Sequence, residues 1–102
     1  MERLPPQGDV ENEILQVLNA RLGAMRTTAI YATLADQFRL NRSERYGCPT
    51  DPRGSRWEFV VRLARKALQR RGLLHSPEAG AWELTGSGRE AAQKMNRQHF
   101  DA

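Results

Sequence analysis

One segment near the C-terminus limits the fold more than any other part of the sequence. Residues 55–71 repeat apolar side chains at helical spacing, Gly72 interrupts that pattern, and residues 73–85 then alternate on either side of a short Ser-Pro-Glu-Ala-Gly turn. Because the apolar period changes from about 3.6 to 2, a helix followed by a two-stranded hairpin is predicted. A lone two-stranded hairpin is marginally stable, so this one must lie against helices.

The helix predicted over residues 55–71 is strongly two-sided. Its apolar side carries Trp57, Val60, Val61, Ala64, Ala67 and Leu68, and the opposite side carries Ser55, Glu58, Arg62, Lys66 and Gln69, with Arg65 on the border. Gly72 is the expected stop signal. In the returning strand, Trp82 and Leu84 alternate with Glu83, so Trp82 is interpreted as a core residue and not as a stacking platform.

Two further helices are predicted upstream. After Pro5 and Pro6, which resist helix formation, Asp9 is the expected N-cap of a first helix that stops at Gly23. A second helix is expected to begin at Thr27 or Thr28.

The second helix is expected to end near Arg39, and most of residues 40–54 is predicted to be loop, with Ser43 capping one helical turn through Tyr46. A last helix is expected after the hairpin, capped by Thr85 or Ser87. Its inner side is predicted to carry Ala91, Ala92, Met95 and His99.

The order helix, helix, helix, hairpin, helix predicts a mostly α protein with a small β-hairpin, arranged as a winged helix-turn-helix. In that arrangement the third helix enters the major groove of DNA. The domain is expected to span residues 9–99, after an extended lead-in at 1–8 and before a tail at 100–102.

Charge and composition narrow the class of protein. The 102 residues carry a formal net charge of +4, which favours a nucleic-acid partner. No apolar run approaches the roughly 18 residues of a membrane span, and the polar N-terminus is unlike a secretory signal. The single cysteine, Cys48, forms no intrachain disulfide, which fits a reducing compartment. A cytoplasmic, nucleoid-associated protein without a membrane partner is expected.

A family resemblance is carried by Ala64-Arg65, Leu68, Gly72-Leu73-Leu74, Gly80, Trp82, Leu84-Thr85 and Gly88-Arg89. This pattern resembles the N-terminal domain of Mrr-like restriction proteins, a winged-helix module that precedes a nuclease domain. The resemblance implies a DNA-targeting domain, here either a piece of a larger nuclease or a stand-alone relative. Two departures concern the DNA preference: Leu63 stands where the family tends to have an aromatic residue, and the loop before the third helix is longer.

The candidate DNA-binding residues lie on the third helix and in the loop before it. They are Ser55, Arg56, Glu58, Phe59, Arg62, Arg65 and Lys66 on the helix, and Arg42, Arg45 and Arg53 in the loop. Residues at the start of a recognition helix reach deepest, so this end is expected to sense bases, including modified ones, while the arginines and the lysine contact phosphates or guanine.

These residues also have plainer interpretations. The basic side could be a solvated face with a Glu58–Arg62 ion pair, and the loop arginines could be mobile and unpaired. Phe59 either packs under the loop or contacts the methyl group of a pyrimidine.

Catalysis by this chain alone is not expected. Cys48 has no histidine partner nearby, the cysteine and histidine count gives no zinc pattern, and Pro49–Asp51 lacks the acidic-x-Lys partner of a nuclease signature. No cofactor and no small-molecule substrate are predicted. Two alternative functions remain: a dimeric transcription regulator, and a protein-interaction module, which the acidic Glu78 in the turn favours.

Overall fold

The computed structural model of the protein describes residues 4–21, 23–46 and 56–100, with side chains up to Met95. The elements follow in the order α1 (Gln7–Asn19), β1 (Met25–Arg26), α2 (Thr27–Gln37), α3 (Arg42–Tyr46), α4 (Arg56–Arg70), β2 (Leu74–His75), β3 (Ala81–Leu84) and α5 (Gly86–Phe100). This mostly helical architecture with a small antiparallel sheet confirms the predicted fold class. None of the described helices combines the length and apolar character that crossing a bilayer requires.

The first helix, α1, lies at the centre of the helical layer and packs against α2, α4 and α5. Its apolar stripe is therefore fully buried, with exposures of 1% or less. The other elements complete the core with Met25, Ile30, Leu34, Ala35, Leu40, Trp57, Val61, Ala64, Leu68, Leu73, Leu74, Trp82, Leu84 and Ala92.

Both ends of α1 differ from the prediction. The N-cap is Pro6, with φ −62° and ψ 153°, and no side chain caps the helix, so the prediction of Asp9 as the cap was wrong. The Pro6 carbonyl accepts the Val10 N–H at 3.1 Å, so the first helical turn already includes Asp9. Asp9 lies in the first turn, where a carboxylate interacts favourably with the helix dipole. The helix stops at Asn19, before the predicted stop at Gly23.

The sheet has three strands, one more than predicted. In the order β1-β3-β2, Met25 lies opposite Trp82 and Leu74 lies opposite Leu84. The missed strand, β1, has two residues, too few for an alternating pattern to be visible. Trp82 occupies the middle strand and is buried, which confirms its predicted place in the core.

The described part of the chain that follows α2, up to Tyr46, is held by local hydrogen bonds. The side chain of Asn41 accepts a hydrogen bond from the Glu44 N–H at 2.9 Å, and the Glu44 carboxylate accepts one from the Asn41 N–H at 2.8 Å. This is a capping box, so Asn41 caps α3, and the prediction that Ser43 would do so was wrong.

Two residues of the segment that carries the family resemblance, Gly72 and Thr85, set the end of α4 and the start of α5. Gly72, with φ 73°, ends α4 as predicted: its N–H and that of Leu73 donate to the Gln69 and Leu68 carbonyls at 3.0 Å, a Schellman motif. Thr85 caps α5, since its Oγ1 accepts the Gly88 N–H at 3.0 Å and donates to the Gly72 carbonyl. This confirms Thr85 as one of the two predicted caps.

The inner side of α5 follows the predicted pattern. Ala92 is buried, and Ala91 and Met95 pack against the core, while the side chain of His99 lies outside the described residues.

Candidate nucleic-acid interface

The fourth helix separates an apolar side from a cationic one. Its buried residues are Trp57, Val61, Ala64 and Leu68, which confirms the predicted inner side. We define the outer face of α4 as Phe59, Arg62, Leu63, Lys66 and Arg70, which recur one helical turn apart and are all exposed.

Two large apolar side chains lie among the cations of the outer face. Phe59 is 56% exposed and Leu63 is 37% exposed, and their spacing of four residues places them side by side on the helix surface. Scattered single apolar residues on a surface need no explanation. Phe59 and Leu63 instead form a neighbouring pair beside Arg62 and Lys66, and together these side chains make a small contact surface with apolar and cationic parts.

The cations of the outer face are available to a partner. Arg62 forms no ion pair with any residue that the structure describes, so the Glu58–Arg62 pair considered from the sequence is not formed. Arg56, Glu58 and Lys66 are exposed. Phe59 is exposed too, and residues 47–55, under which it could pack, lie outside the described part.

Arg65 differs from the other cations because it is half-buried. Its guanidinium lies over the ring of Trp82, 5.7 Å from the centroid, a cation–π arrangement. The Nε atom is buried and has no hydrogen-bond partner among the residues that the structure describes. Tyr31, on α2, lies against the same tryptophan with a centroid distance of 6.2 Å and an interplanar angle of 55°. We call Tyr31, Arg65 and Trp82 the aromatic seat.

The hydroxyl of Tyr31 lies within electrostatic reach of α4. Burial raises the pKa of Tyr31 above its ordinary value, Arg62 and Arg65 lower it, and Glu58 raises it. Burial is the largest of these effects, so the hydroxyl stays protonated at neutral pH and can donate a hydrogen bond.

The arginines before α4 have different surroundings. Arg45 donates from Nη2 to the Asp36 carboxylate at 2.8 Å and from Nε to the Leu40 carbonyl at 2.9 Å, so the alternative of a mobile, unpaired side chain is wrong for it. Arg42 is exposed at the start of α3. The predicted residues Arg53 and Ser55 lie outside the described part of the chain.

The hairpin turn presents no cation. Residues 76–80 are exposed and contain Glu78 but no lysine or arginine. Ser76 Oγ lies within hydrogen-bond distance of the Glu78 and Ala81 carbonyls, and His75 Nε2 lies 2.9 Å from the Glu83 carboxylate. The turn is therefore held by hydrogen bonds of the Ser76 side chain. Because it carries no cation, it offers little electrostatic attraction for phosphates.

The described residues form no metal centre. Within the described ranges, no group of three or more histidine, cysteine, aspartate or glutamate side chains is placed to hold a metal ion. Cys48 and residues 49–51, which were weighed for catalysis, fall outside those ranges.

Sequence reasoning missed Leu63 and Tyr31 as candidate site residues. Leu63 had a usable signal, because the helical wheel that marks Phe59 as an apolar residue on the polar side also places Leu63 beside it. Tyr31 had none, since its proximity to Arg65 depends on how α2, α4 and the sheet pack together.

Comparison with known proteins gives one family. A family model described as the Mrr N-terminal domain matches residues 10–94. No curated protein and no solved structure matches the chain. The matched range runs from the first turn of α1 into α5, so it includes the outer face of α4, the aromatic seat and all three strands.

Proposed function

The chain belongs to the Mrr N-terminal domain family, as the resemblance predicted, and on this premise we propose that it is the double-stranded DNA-binding module of a restriction system. The family ties the domain to restriction systems as the part N-terminal to the rest of the protein. We therefore assign cleavage to a nuclease domain, covalently attached or separate, and targeting to this domain.

The observation that carries the proposal is the outer face of α4. In a helix-turn-helix protein the second helix of the motif lies in the major groove. We assign that part to α4, the helix predicted as the third from the sequence. It exposes Arg62, Lys66 and Arg70, and no described segment covers them. Arginine and lysine neutralise phosphates or pair with guanine. Arg56, at the N-terminal end of α4, extends the same surface.

Phe59 and Leu63 are the proposed sensors of base identity. In the major groove the only apolar group on an unmodified base pair is the thymine methyl. An exposed phenyl ring beside a leucine side chain gains from covering such a methyl group, and the same holds for a methyl or larger substituent on a modified cytosine. We propose that this pair gives the module a preference for methyl-bearing pyrimidines.

The hairpin turn is proposed to contribute little. It carries Glu78 and no cation among residues 76–80, so backbone attraction must come from α4 and from Arg42 on α3. Four or five phosphate contacts give a slope of log affinity against log salt of about −4.

The test is a fluorescence-anisotropy titration of labelled duplex DNA at two salt concentrations. With a slope near −4, raising the salt from about 50 to about 200 mM weakens binding roughly 250-fold. A folded protein that binds no duplex at the lower salt concentration would contradict the proposal.

A pair of matched variants locates the interface. The double reversal Arg62→Glu with Lys66→Glu is expected to abolish measurable binding, because it replaces attraction by repulsion at the centre of the outer face. The control, Arg21→Glu with Lys94→Glu, changes the net charge equally at two exposed positions away from α4. Equal losses in both doubles would mean that only net charge matters and that α4 is not the interface.

One observation favours a second function, a protein-interaction module. The exposed Tyr46 and Phe59, 70% and 56% exposed, together with the cation-free turn, would also suit a protein partner. The other alternative, a dimeric transcription regulator, would be supported instead if the protein sediments as a dimer and prefers palindromic DNA. Binding of a protein partner that survives the Arg62 and Lys66 reversals, in a protein without affinity for DNA, would support the interaction module.

A further inference from the structure

The aromatic seat holds the Arg65 guanidinium partly shielded from water. Arg65 is half-buried, and neither an ion pair nor a hydrogen bond joins it to any described residue. Its contact is the ring of Trp82. Partial burial of a cation without an anionic partner is unfavourable, and the stacking contact offsets only part of that cost. The position is therefore suited to an anion that comes from outside the chain.

Two more donors point to the same place. Arg62 lies one turn before Arg65, and both guanidinium groups lower the pKa of the Tyr31 hydroxyl. Burial raises that pKa by more, so the hydroxyl remains protonated. That hydroxyl has no hydrogen-bond partner among the described residues. Tyr31 and Arg65 lie against the same tryptophan, Trp82, and Arg62 is one turn from Arg65, so two cations and one neutral donor lie on the flank of α4 that faces α2. Glu58, on the same helix, raises the pKa of the Tyr31 hydroxyl.

We infer that Tyr31, Arg62 and Arg65 bind one phosphate group of the DNA backbone, with Trp82 holding Arg65 in place. The inference rests on the proposed function and adds to it the line along which one DNA strand runs, between α2 and α4. Phosphate oxygens accept hydrogen bonds from guanidinium and hydroxyl groups, and such contacts fix register without reading sequence. The Glu58 carboxylate, in the first turn of α4, repels a phosphate. The phosphate is therefore placed towards Arg65 and away from the N-terminal end of α4.

The experiment compares the wild-type chain with Tyr31→Phe, Arg65→Gln and Arg65→Lys on two unrelated duplexes over a range of salt. Tyr31→Phe should weaken binding about tenfold on both duplexes, because a hydrogen bond to a charged group is lost. Its salt slope should equal that of the wild type, since no charge changes. Arg65→Gln should also weaken binding at least tenfold and reduce the magnitude of the slope by about one.

The lysine variant separates charge from geometry. Arg65→Lys should keep the wild-type slope but bind more weakly, because an ammonium group lacks the planar stack on Trp82 and the two-pronged contact with phosphate. Arg21→Gln, at an exposed position away from α4, is the control and should match the wild type. Thermal unfolding of each variant confirms that it is folded at the temperature of the titration.

Each contrary outcome has a distinct meaning. If the wild type binds duplex DNA and the Tyr31 and Arg65 variants bind equally well with unchanged slopes, the phosphate site is wrong and the proposed function stands. If Tyr31→Phe loses affinity on one duplex only, the hydroxyl reads a base and the phosphate assignment is overturned. If the folded wild type binds neither duplex, the proposed function and this inference fall together.

Discussion

Gly88 lies where α5 crosses the connection between α4 and β2, and replacing it by alanine should strongly destabilise the domain. A Cβ at this position would overlap the Leu73 carbonyl oxygen, and it would lie 3.0 Å from the carbonyl carbon and 3.2 Å from Leu84 Cδ2. The obstruction is backbone, and it is held on both sides: the Leu73 N–H donates to Leu68, and the Leu73 carbonyl accepts the Thr85 N–H. The first turn of α5 must therefore move as a unit.

The expected cost follows from that geometry. Overpacking a core costs about 1–3 kcal/mol, and the upper end applies here because no side-chain rotation relieves the contact. Alanine regains about 0.5–1 kcal/mol of helix propensity over glycine, which leaves a net loss of roughly 2 kcal/mol. In a domain of this size, a change of 1 kcal/mol moves Tm by roughly 4–8 °C, so Gly88→Ala should melt about 8–16 °C lower.

The assay is thermal unfolding followed by far-ultraviolet circular dichroism, with Gly86→Ala as the matched control. Gly86 lies two residues earlier in the same helix, and nothing occupies the space within 4 Å of its added Cβ. That variant should melt at or slightly above the wild-type temperature. Equal melting temperatures for the two alanine variants would refute the argument from close backbone approach.

Three other perturbations have expected outcomes. Arg39, at φ 54°, ends α2 in the left-handed region, so Arg39→Gly should stabilise the fold by about 1 kcal/mol in chemical denaturation. Thr85→Ala should cost about 1 kcal/mol by the same measurement, and Thr85→Ser, which keeps the capping oxygen, should cost less. Burial raises the pKa of Tyr31, so its protonated form favours folding. This contribution is complete below about pH 10 and is lost as the pH rises through the folded-state pKa, and Tyr31→Phe should remove that alkaline decline.

The sequence was sufficient for the large helices because their burial patterns are local. The apolar positions of α4 recur at helical spacing. Gly72 marks the end of α4 and Thr85 marks the start of α5, through local hydrogen bonds that are typical of glycine and threonine at helix ends. Element ends with competing signals were less predictable. At the start of α1, the turn closed by the Val10 N–H and the Pro6 carbonyl already includes Asp9. In α3, the reciprocal pairing of Asn41 with Glu44 prevailed over Ser43.

The candidate site also has one part that a single helix determines and one part that depends on tertiary packing. The outer face of α4 is a property of one helix, so a helical wheel places Arg62, Lys66 and Phe59 on it without knowledge of the rest of the fold. The aromatic seat is a property of three elements. Trp82 enters it because β3 is the middle strand, and β3 is the middle strand only because β1 pairs with its second edge, a two-residue interaction without a periodic signal.

The same packing explains how one arginine can differ from its neighbours on a single helix. Arg62 and Lys66 extend into solvent, where an exposed pair with a carboxylate would be worth at most about 1 kcal/mol, so their orientation is weakly fixed until a partner binds. Arg65 lies on Trp82 before any partner arrives, and its side chain loses less freedom on binding. A phosphate contact through Arg65 therefore gains affinity from preorganisation, whereas contacts through Arg62 and Lys66 gain it mainly from charge. This difference is why Arg65→Lys should change affinity without changing the salt slope, and why Lys66→Arg should change neither by much.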